Sequence, residues 1–307
     1  MRNQNFIVSI LLSMCLLLTT PLTYADSDEA DKSVLEIAAN VYSFSLDGGY
    51  ISMFVVTDEG VMVFETMNSG HAKAMVAAIK KITDKPIKYA FQSHNHWDHA
   101  SGGQVLLDAG ADTIAHAEAI AWMEANPGRD TVLPQTSWEG NRKDMELGGV
   151  KVELHYLGMN HGLGMTVFIL PQLNIAYIAD IVTPNRIIFS VAPDFNLREW
   201  ERSLGEILAL DFEKAVFSHN ELPNPLAGGN KEHVALQLKY IKDLRAAFFA
   251  ELQQGTNPML IPKQLKLPEY ENWVGYSDWL EMNVWRILAD EFMGPFPWRP
   301  EPQQTNQ

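Results

Sequence analysis

The chain has 307 residues, of which 38 are acidic and 23 are lysine or arginine, so its formal net charge at pH 7 is -15. This charge excludes nucleic acid and anionic lipid as main partners, because both repel an acidic protein. Small neutral or zwitterionic substrates fit better, although a local metal site can still attract anions. The length allows one large domain or a domain with an appendage, and no internal repeat or low-complexity linker divides it.

The first 25 residues are predicted to be a signal peptide. Arg2 precedes an uncharged apolar stretch at residues 6–18. Small residues then precede the expected cleavage site, in the segment Thr23-Tyr24-Ala25. The alternative is a membrane helix, which needs about 20 apolar residues, and this stretch is shorter. Cleavage after Ala25 would remove Cys15, the only cysteine, and leave no disulfide. We expect a periplasmic or secreted protein with no stable membrane insertion after cleavage.

Two strand-rich halves follow, at about residues 35–115 and 140–220. Each combines alternating or continuous apolar runs with helix-like segments, such as residues 69–82 in the first half and 197–210 in the second. The pattern permits a fold of two β-sheets with outer helices.

The most informative segment follows the apolar run at residues 87–91. It reads His94-Asn95-His96-Trp97-Asp98-His99. His94 and His96 project to the same side of an extended strand end, where both can meet one ion at about 2.0–2.1 Å. Asp98 and His99 lie where the chain must turn, and donors displaced by a turn suit a second ion about 3.5–4 Å away. The run therefore predicts a dinuclear metal centre.

Four donors cannot fill two coordination spheres, so more ligands are expected at other strand ends. Three residues follow strand-like apolar runs, namely His161, Asp180 and His219. For any one of them alone, an ordinary turn or a solvent-exposed position is the alternative. The order of all seven residues favours a metal site over these alternatives.

In order, these residues spell H-x-H-x-D-H, then His, Asp and His, and the chain resembles the metallo-β-lactamase superfamily over about residues 35–225. The segments that carry the resemblance are SHNHWDHASGG at 93–103, LGMNHGLGMTVFIL at 157–170 and IAYIAD, which ends at Asp180. The resemblance implies an α+β fold, an αββα sandwich of two mixed β-sheets flanked by helices, with the metals at one edge. It also implies the ligand sets: His94, His96 and His161 for the first metal, Asp98, His99 and His219 for the second, and Asp180 as the bridge.

The roles of two acidic residues are left open. Asp98 could cap a helix predicted over residues 100–107, a role that does not exclude metal binding. Glu65 stands at a strand end where relatives often carry Asp, and the consequence of its longer side chain is left open.

The composition changes beyond residue 228. We predict a main domain at residues 26–228 and a helical extension at residues 229–307 that carries one apolar stripe over 231–253 and is rich in aromatic residues further on. The aromatic side chains are expected to form core or subunit contacts, and the functional alternative is a lid over the substrate pocket. The extension is expected to pack on the main domain, and a homodimer formed through it is left open.

The ligand set predicts a dinuclear metal-dependent hydrolase, and the predicted signal peptide implies that it is exported. Two divalent ions share a water and lower its pKa, so that a bridging hydroxide attacks a carbonyl carbon. Asp98 would orient this nucleophile and later carry a proton. Asn160 and Tyr156 are candidates for holding the oxyanion. Zinc is the expected metal because nitrogen and oxygen donors suit it, and iron or manganese would be accepted.

The expected substrate is a small acyl compound, that is, an ester, lactone, thioester or amide. The β-lactamases of this superfamily carry Cys or Ser where this chain has Asp180, whereas glyoxalase II enzymes and acyl-homoserine lactonases carry Asp there. Some of those β-lactamases hold the drug carboxylate with a lysine shortly after that position, and this lysine has no counterpart here, because residues 181–186 contain only Arg186 as a basic residue. Weak β-lactam turnover stays open, and the sequence assigns no substrate-binding residue.

Two alternative functions fit the same pattern. One is a persulfide dioxygenase, which resembles this superfamily and keeps much of the His/Asp set but uses a single iron. The other is a non-catalytic periplasmic metal-binding protein. Metal count and identity separate the first alternative from the hydrolase, and turnover separates the second.

Overall fold

The computed structural model describes residues 33–128 and 130–295. The predicted signal peptide at residues 1–25, with Cys15, lies outside these ranges, as do Phe296 and Trp298 of the aromatic extension. Among the helices of the described part of the chain, none combines the length and the apolar character that a membrane span requires.

Seven strands form the first sheet, and they lie side by side in chain order. The four strands at one end pair antiparallel and those at the other end pair parallel, so the sheet is mixed. In order, the strands are β1 (Val34–Ala38), β2 (Val41–Phe44), β3 (Ser52–Val56), β4 (Val61–Phe64), β5 (Ile87–Phe91), β6 (Asp112–His116) and β7 (Thr136–Trp138).

Five strands form the second sheet, in the order β12-β11-β10-β9-β8. They are β8 (Arg142–Leu147), β9 (Val150–Tyr156), β10 (Thr166–Leu170), β11 (Ile175–Ile178) and β12 (Lys214–Phe217). Strands β8 to β11 form an antiparallel meander, whereas β12 pairs parallel with β11. Because β11 and β12 run parallel, the residues that follow them emerge at the same edge of the sheet.

Helices flank the sheets and continue to the end of the described chain. They are α1 (Ser69–Ile82), α2 (Trp97–Ala100), α3 (Gly103–Asp108), α4 (Ala117–Ala125), α5 (Leu197–Ala209), α6 (Lys231–Gln253), α7 (Ile261–Gln264) and α8 (Tyr276–Met293). Three of the longer helices begin at an asparagine whose side chain accepts a backbone N–H of the first turn, a favourable cap; these are Asn68, Asn196 and Asn230.

The main core lies between the two sheets. Phe64 and Phe91 of the first sheet stack at 5.2 Å, and the ring of Phe168 from the second sheet lies 5.5 Å and 5.4 Å from them. Helices α5 and α6 contribute to the same apolar cluster, while α1 and α3 bury a second cluster on the outside of the first sheet. The layers are therefore helix, sheet, sheet and helix, and the predicted αββα sandwich of two mixed sheets is confirmed.

The region beyond residue 228 is helical and shares this core. Val234 and Leu244 of α6 and Val284 of α8 are fully buried in the cluster that also holds both sheets. Tyr270 is 2% exposed and meets the rings of Tyr240 and Trp273 at 5.0 Å and 4.9 Å. These aromatic side chains form packing contacts.

Candidate metal centre

Strand ends position the side chains that the sequence singled out. His94 and His96 follow β5, Asp180 follows β11, and His219 follows β12. His161 lies in the loop after β9, where it forms an isolated bridge with Phe195. Strands β11 and β12 run parallel in the second sheet, whereas β5 belongs to the first, so the donors converge where strand ends of both sheets meet at one edge of the sandwich.

Seven donors come together at this edge. One group holds His94, His96, His161 and Asp180, a second holds Asp98, His99 and His219, and the ligand atoms within each group lie within 4.8 Å of one another. The structure thus brings together all seven residues that the sequence analysis named.

Asp180 faces both groups. Its Oδ2 lies 3.3 Å from Nε2 of His161 and 3.2 Å from Nε2 of His99, and its Oδ1 lies 3.6 Å from Nε2 of His219. Ser218 orients this carboxylate by donating its hydroxyl to Oδ1 at 2.5 Å. A single buried carboxylate between two sets of imidazoles is the arrangement that a bridging ligand needs.

The donor spacing fits metal coordination better than hydrogen bonding. Two ligands of a tetrahedral zinc ion, each about 2.0–2.1 Å from the metal, lie about 3.3–3.4 Å apart. Nε2 of His99 lies 3.3 Å from Nε2 of His219, a matching distance. In the described structure, the buried Nε2 atoms of His94 and His161 have no hydrogen-bond partner. Buried polar atoms are normally paired, so these nitrogens fit ligands of an ion.

Burial and neighbouring charges shift the pKa values of these side chains. Burial lowers the pKa of His94 well below its ordinary value and also lowers the pKa of His161 and of His219, so these imidazoles are neutral, the form that binds metal. Burial alone would lower the pKa of His99, but the carboxylate of Asp180 raises it well above the ordinary value. Burial alone would raise the pKa of Asp180, but His99 and His219 lower it. A metal ion would therefore replace the proton of the His99–Asp180 pair.

Asp98 lies at the half-exposed side of the second group. It sits in the first turn of α2 and caps no helix, because α2 ends at Ala100 and α3 begins at Gly103. The predicted helix over residues 100–107 is broken at Gly102, where a Cβ atom would lie 2.3 Å from the carbonyl oxygen of Thr66. Without a cap to make, the Asp98 carboxylate is available to the site.

Tyr50 fixes one oxygen of that carboxylate. Its hydroxyl donates to Oδ2 of Asp98 at 3.1 Å, and its ring lies 4.7 Å from that of His219. Burial and the neighbouring Asp98 raise the pKa of Tyr50, so the hydroxyl stays protonated and acts as a donor. Tyr50 follows no recognisable motif, so local sequence does not indicate it.

The carboxylate of Asp194, which no sequence motif indicates, supports His96. Oδ2 of Asp194 accepts a hydrogen bond from Nε2 of His96 at 2.8 Å. Burial alone would raise the pKa of Asp194, but this hydrogen bond lowers it. No motif surrounds Asp194 in the sequence, and only the folded loop after β11 brings it to the site.

Glu65 stands at the end of β4, where relatives often carry Asp, and its longer side chain contacts both groups of donors. Its buried carboxylate accepts a hydrogen bond from the Ser93 hydroxyl, and this hydroxyl lies 2.7 Å from Nδ1 of His94. Oε2 of Glu65 also lies 3.5 Å from Nδ1 of His99. One carboxylate therefore contacts, directly or through Ser93, a donor of each group.

Gly162 allows the two halves of the site to meet. Its φ is +85°, and a Cβ atom there would lie 2.7 Å from Oδ1 of Asn95 and 3.0 Å from Nε2 of His96. In the same contact, Oδ1 of Asn95 accepts the backbone N–H of Leu163 at 2.7 Å. A larger residue would separate the loop of His161 from the run that begins at His94.

The two candidate oxyanion donors make other contacts. The side chain of Asn160 donates to Ser203 at 2.9 Å and accepts the backbone N–H of His161 at 2.6 Å. Tyr156 donates to Glu118 at 2.5 Å. Neither residue lines the cavity next to the centre.

A cavity of about 960 Å³ opens onto the candidate centre. Donors of both groups lie in its wall, and its apolar surface comes from Trp97, Trp122, Phe189, Phe195 and Trp200, among others. This volume suits a small organic molecule.

Comparison with known proteins agrees with this geometry. The family model described as the metallo-beta-lactamase superfamily matches residues 46–219, more than half of the chain. The 2,4-dinitroanisole O-demethylase subunit alpha of Nocardioides sp. (strain JS1661) is 30% identical over 176 residues, which cover 56% of this chain and 53% of that protein. The metallo-beta-lactamase IND-1 of Chryseobacterium indologenes is 25% identical over 239 residues, 74% of this chain and 94% of that protein.

Solved structures share the fold. A metallo-beta-lactamase from Pontibacter korlensis aligns with a TM-score of 0.58 and 17% identity, covering 68% of this chain and 98% of that chain. The sec-alkylsulfatase Pisa1 from Pseudomonas sp. aligns with a TM-score of 0.68 and 16% identity, covering 88% of this chain and 52% of that chain. The present chain thus spans about half the length of the demethylase subunit and of the sulfatase.

Proposed function

Because the chain belongs to the metallo-β-lactamase superfamily, we propose that it is a metal-dependent hydrolase of a small acyl compound, that is, an ester, lactone, thioester or amide. The observation that carries the proposal is the position of Asp180, whose carboxylate lies within 3.6 Å of an imidazole nitrogen of His161, His99 and His219. A carboxylate shared in this way suits a pair of ions better than a single one.

The proposal assigns a role to each donor. His94, His96 and His161 would hold one ion, Asp98, His99 and His219 the other, and Asp180 both. Zinc suits the nitrogen and oxygen donors, and iron or manganese would also be accepted. When bound, two such ions would supply a hydroxide at neutral pH and a Lewis acid for the carbonyl oxygen.

Asp98 is the proposed proton carrier. The Tyr50 hydroxyl holds Oδ2 and leaves Oδ1 able to orient a water and to accept its proton. Burial alone would raise the pKa of Asp98, but the neighbouring His99 lowers it, so the carboxylate is ionised and can act as a base. Trp97, beside Asp98, lines the cavity and would help to exclude bulk water from the reacting groups.

Names of similar proteins widen the set of reactions to test. One relative is named as an O-demethylase subunit, and a protein of the same fold is named as a sec-alkylsulfatase. We therefore include an aryl methyl ether and an alkyl sulfate among the test substrates. The iron-dependent dioxygenase and the non-catalytic metal-binding protein remain the alternatives to a hydrolase.

Export belongs to the proposal as well. A chain cut after Ala25 would act in the periplasm or outside the cell, and the first residue of the mature protein, read by mass spectrometry, tests this. The oligomeric state in solution tests whether the helical extension forms a homodimer.

The central experiment uses the protein that begins at residue 26. Metal is measured by plasma emission, and turnover is assayed with a chromogenic ester, a lactone, a thioester, a cephalosporin, an aryl methyl ether and an alkyl sulfate. Two zinc ions per chain and hydrolysis that a chelator abolishes would support the proposal. One iron and no hydrolysis would favour the dioxygenase.

An Asp98 variant tests the proposed proton carrier, with metal content measured beside turnover because Asp98 is also a proposed ligand. Asp98→Ala should lower turnover by about 10²- to 10⁴-fold. Asp144→Ala is the control, because Asp144 is exposed and pairs with Arg142 on β8. Unchanged turnover in Asp98→Ala would exclude the proposed mechanism.

A further inference from the structure

Arg186 introduces a positive charge into the wall of the cavity. Among the described residues that line it, Arg186 is the only lysine or arginine, whereas Asp98, Asp180 and Asp194 all contribute carboxylates.

Aromatic rings hold the Arg186 side chain without using its N–H groups. Its guanidinium carbon lies 5.0 Å from the ring centroid of Trp279 and 5.6 Å from that of Phe189, and the two rings meet edge to face at 4.9 Å. Cation–π contacts of this kind orient a guanidinium through its face. Among the described residues, its five N–H donors make no hydrogen bond.

The backbone of Arg186 is also fixed. The residue forms an isolated bridge with Val274, and the neighbouring Ile187 donates its N–H to the carbonyl of Val274 at 3.2 Å. Within residues 33–128 and 130–295, no carboxylate forms an ion pair with the Arg186 side chain. A half-buried cation that is held in place but lacks a protein anion fits the binding of an anion from solution.

The rest of the cavity wall is suited to an apolar group. Trp97 of α2 and Trp122 of α4 line it with their rings 6.4 Å apart, and Phe195 and Ile188 add further apolar surface. Aromatic side chains bind apolar groups over a large area.

We propose that the substrate is an amphiphilic anion, in which Arg186 binds a carboxylate or sulfate group and the tryptophan-lined wall binds an apolar body. This inference rests on the proposed function, since it names the substrate class of the same site. The acidic net charge suggested neutral or zwitterionic substrates, but a half-buried arginine at the cavity acts over a few ångströms, where screening by salt is weak.

A matched pair of chromogenic esters tests the proposal. Mono(4-nitrophenyl) suberate carries a free carboxylate, and its methyl ester is the neutral analogue with the same reacting bond. The wild-type protein should favour the anionic ester in kcat/KM. In Arg186→Gln, kcat/KM for the anionic ester should fall about 10- to 100-fold, mainly through KM, and that for the neutral ester should change little.

Three further variants serve as controls. Arg198→Gln removes the same charge from an exposed pair with Glu291 outside the cavity and should keep the wild-type preference. Arg186→Lys keeps the charge but loses the planar fork, and Trp279→Leu removes the ring that holds it, so both should show a smaller loss. Circular dichroism and metal content confirm that each variant is folded. Equal use of the two esters by the wild type, or an unchanged preference in Arg186→Gln, would overturn the proposal.

A binding assay distinguishes a failure of this proposal from a failure of the proposed hydrolase function. If neither ester is cleaved, the hydrolase fails, and titration calorimetry with 6-phenylhexanoate, 6-phenylhexyl sulfate and 6-phenylhexanamide still tests Arg186. Tighter binding of either anion than of the amide, lost in Arg186→Gln and kept in Arg198→Gln, would support the anion site and show which group it accepts. A preference that persists in Arg186→Gln would mean that the metals hold the anion and would overturn the assignment.

Discussion

Nε2 of His96 donates a hydrogen bond to Oδ2 of Asp194 at 2.8 Å, although the two residues are 98 positions apart. This contact occupies Nε2 and leaves Nδ1 as the nitrogen that His96 can offer to an ion. Carboxylates in such positions fix the tautomer and orientation of a ligating histidine and raise its basicity. We therefore expect Asp194 to position His96 for the proposed first metal.

Asp194→Ala should weaken binding of the first metal by about 10- to 100-fold and leave the second nearly unchanged. Asp194→Asn should lose less, because the amide oxygen can still accept the hydrogen bond. Competition with a chromophoric chelator measures both affinities, with Asp144→Ala as the control for a lost surface carboxylate. Wild-type affinity in Asp194→Ala would show that His96 needs no support.

Glu65→Gln should weaken both metals, because this side chain contacts His99 directly and His94 through Ser93. Glutamine keeps the length but replaces one acceptor oxygen with a donor, so one of these contacts is lost. We expect about a 10-fold lower affinity for each ion, measured as the metal content after dialysis against graded chelator. Glu59→Gln, on the exposed turn before β4, is the control, and a variant that lost only one ion would contradict the double role of Glu65.

Asn283→Ala should loosen the cavity wall. Asn283 of α8 donates to the carbonyls of Ile188 and Ser190 at 2.9 Å and 2.8 Å and accepts the Tyr240 hydroxyl at 2.6 Å. Alanine leaves these buried groups unpaired, which should cost about 2–3 kcal/mol in the free energy of unfolding, measured with urea. Faster proteolysis of the loop at 188–195 should accompany this loss.

A neighbouring substitution provides the control for Asn283. Glu281→Ala, on the exposed face of the same helix, should change the free energy of unfolding by less than about 0.5 kcal/mol. If Asn283→Ala were no less stable than Glu281→Ala, α8 would not brace the cavity wall.

His71→Gln should flatten the dependence of stability on pH. Burial lowers the pKa of His71 to about 4, against 6.5 for an unperturbed histidine, so below pH 6.5 the unfolded chain binds a proton that the folded chain does not. Stability from this residue is therefore complete above pH 6.5 and is lost as the pH falls toward 4. Between pH 7 and pH 5 the loss amounts to about 2 kcal/mol.

Urea unfolding of the metal-free protein at the two pH values measures this loss. Ser52→Ala removes the hydroxyl that lies 2.9 Å from Nε2 of His71 but keeps the imidazole buried, so it should retain the wild-type pH dependence. An equally steep dependence in His71→Gln would assign the effect to other histidines.

Much of the candidate centre could be predicted from local sequence. The run from His94 to His99 follows a buried strand, and Asp180 and His219 end two further strands that prove to be parallel neighbours. Strand periodicity is a local property, and a ligand that directly follows a strand is placed by that strand. These donors therefore meet at one edge of the sandwich, where strand ends of both sheets lie together, without any detail of the loops.

The helix predicted over residues 100–107 shows the opposite case. The local pattern favoured one helix, but the backbone N–H of Gly102 donates to the carbonyl of Met67 at 2.7 Å instead of to the preceding helical turn, and α2 and α3 lie on either side of it. Asp98 is thus left without a capping role, and this contact between distant residues of the chain lies outside any local pattern.

By itself, the sequence indicated the identity and order of the seven candidate donors, because strand ends and closely spaced ligands are encoded within a few residues, whereas the αββα sandwich was implied by the resemblance to the metallo-β-lactamase superfamily. Only the tertiary structure decided which residues support and surround them. Asp194 reaches His96, and Arg186 lies against Trp279, through a loop whose backbone takes positive φ at Ser190 and Ala192. Long-range contacts from α8 hold that conformation, so no local pattern could predict it.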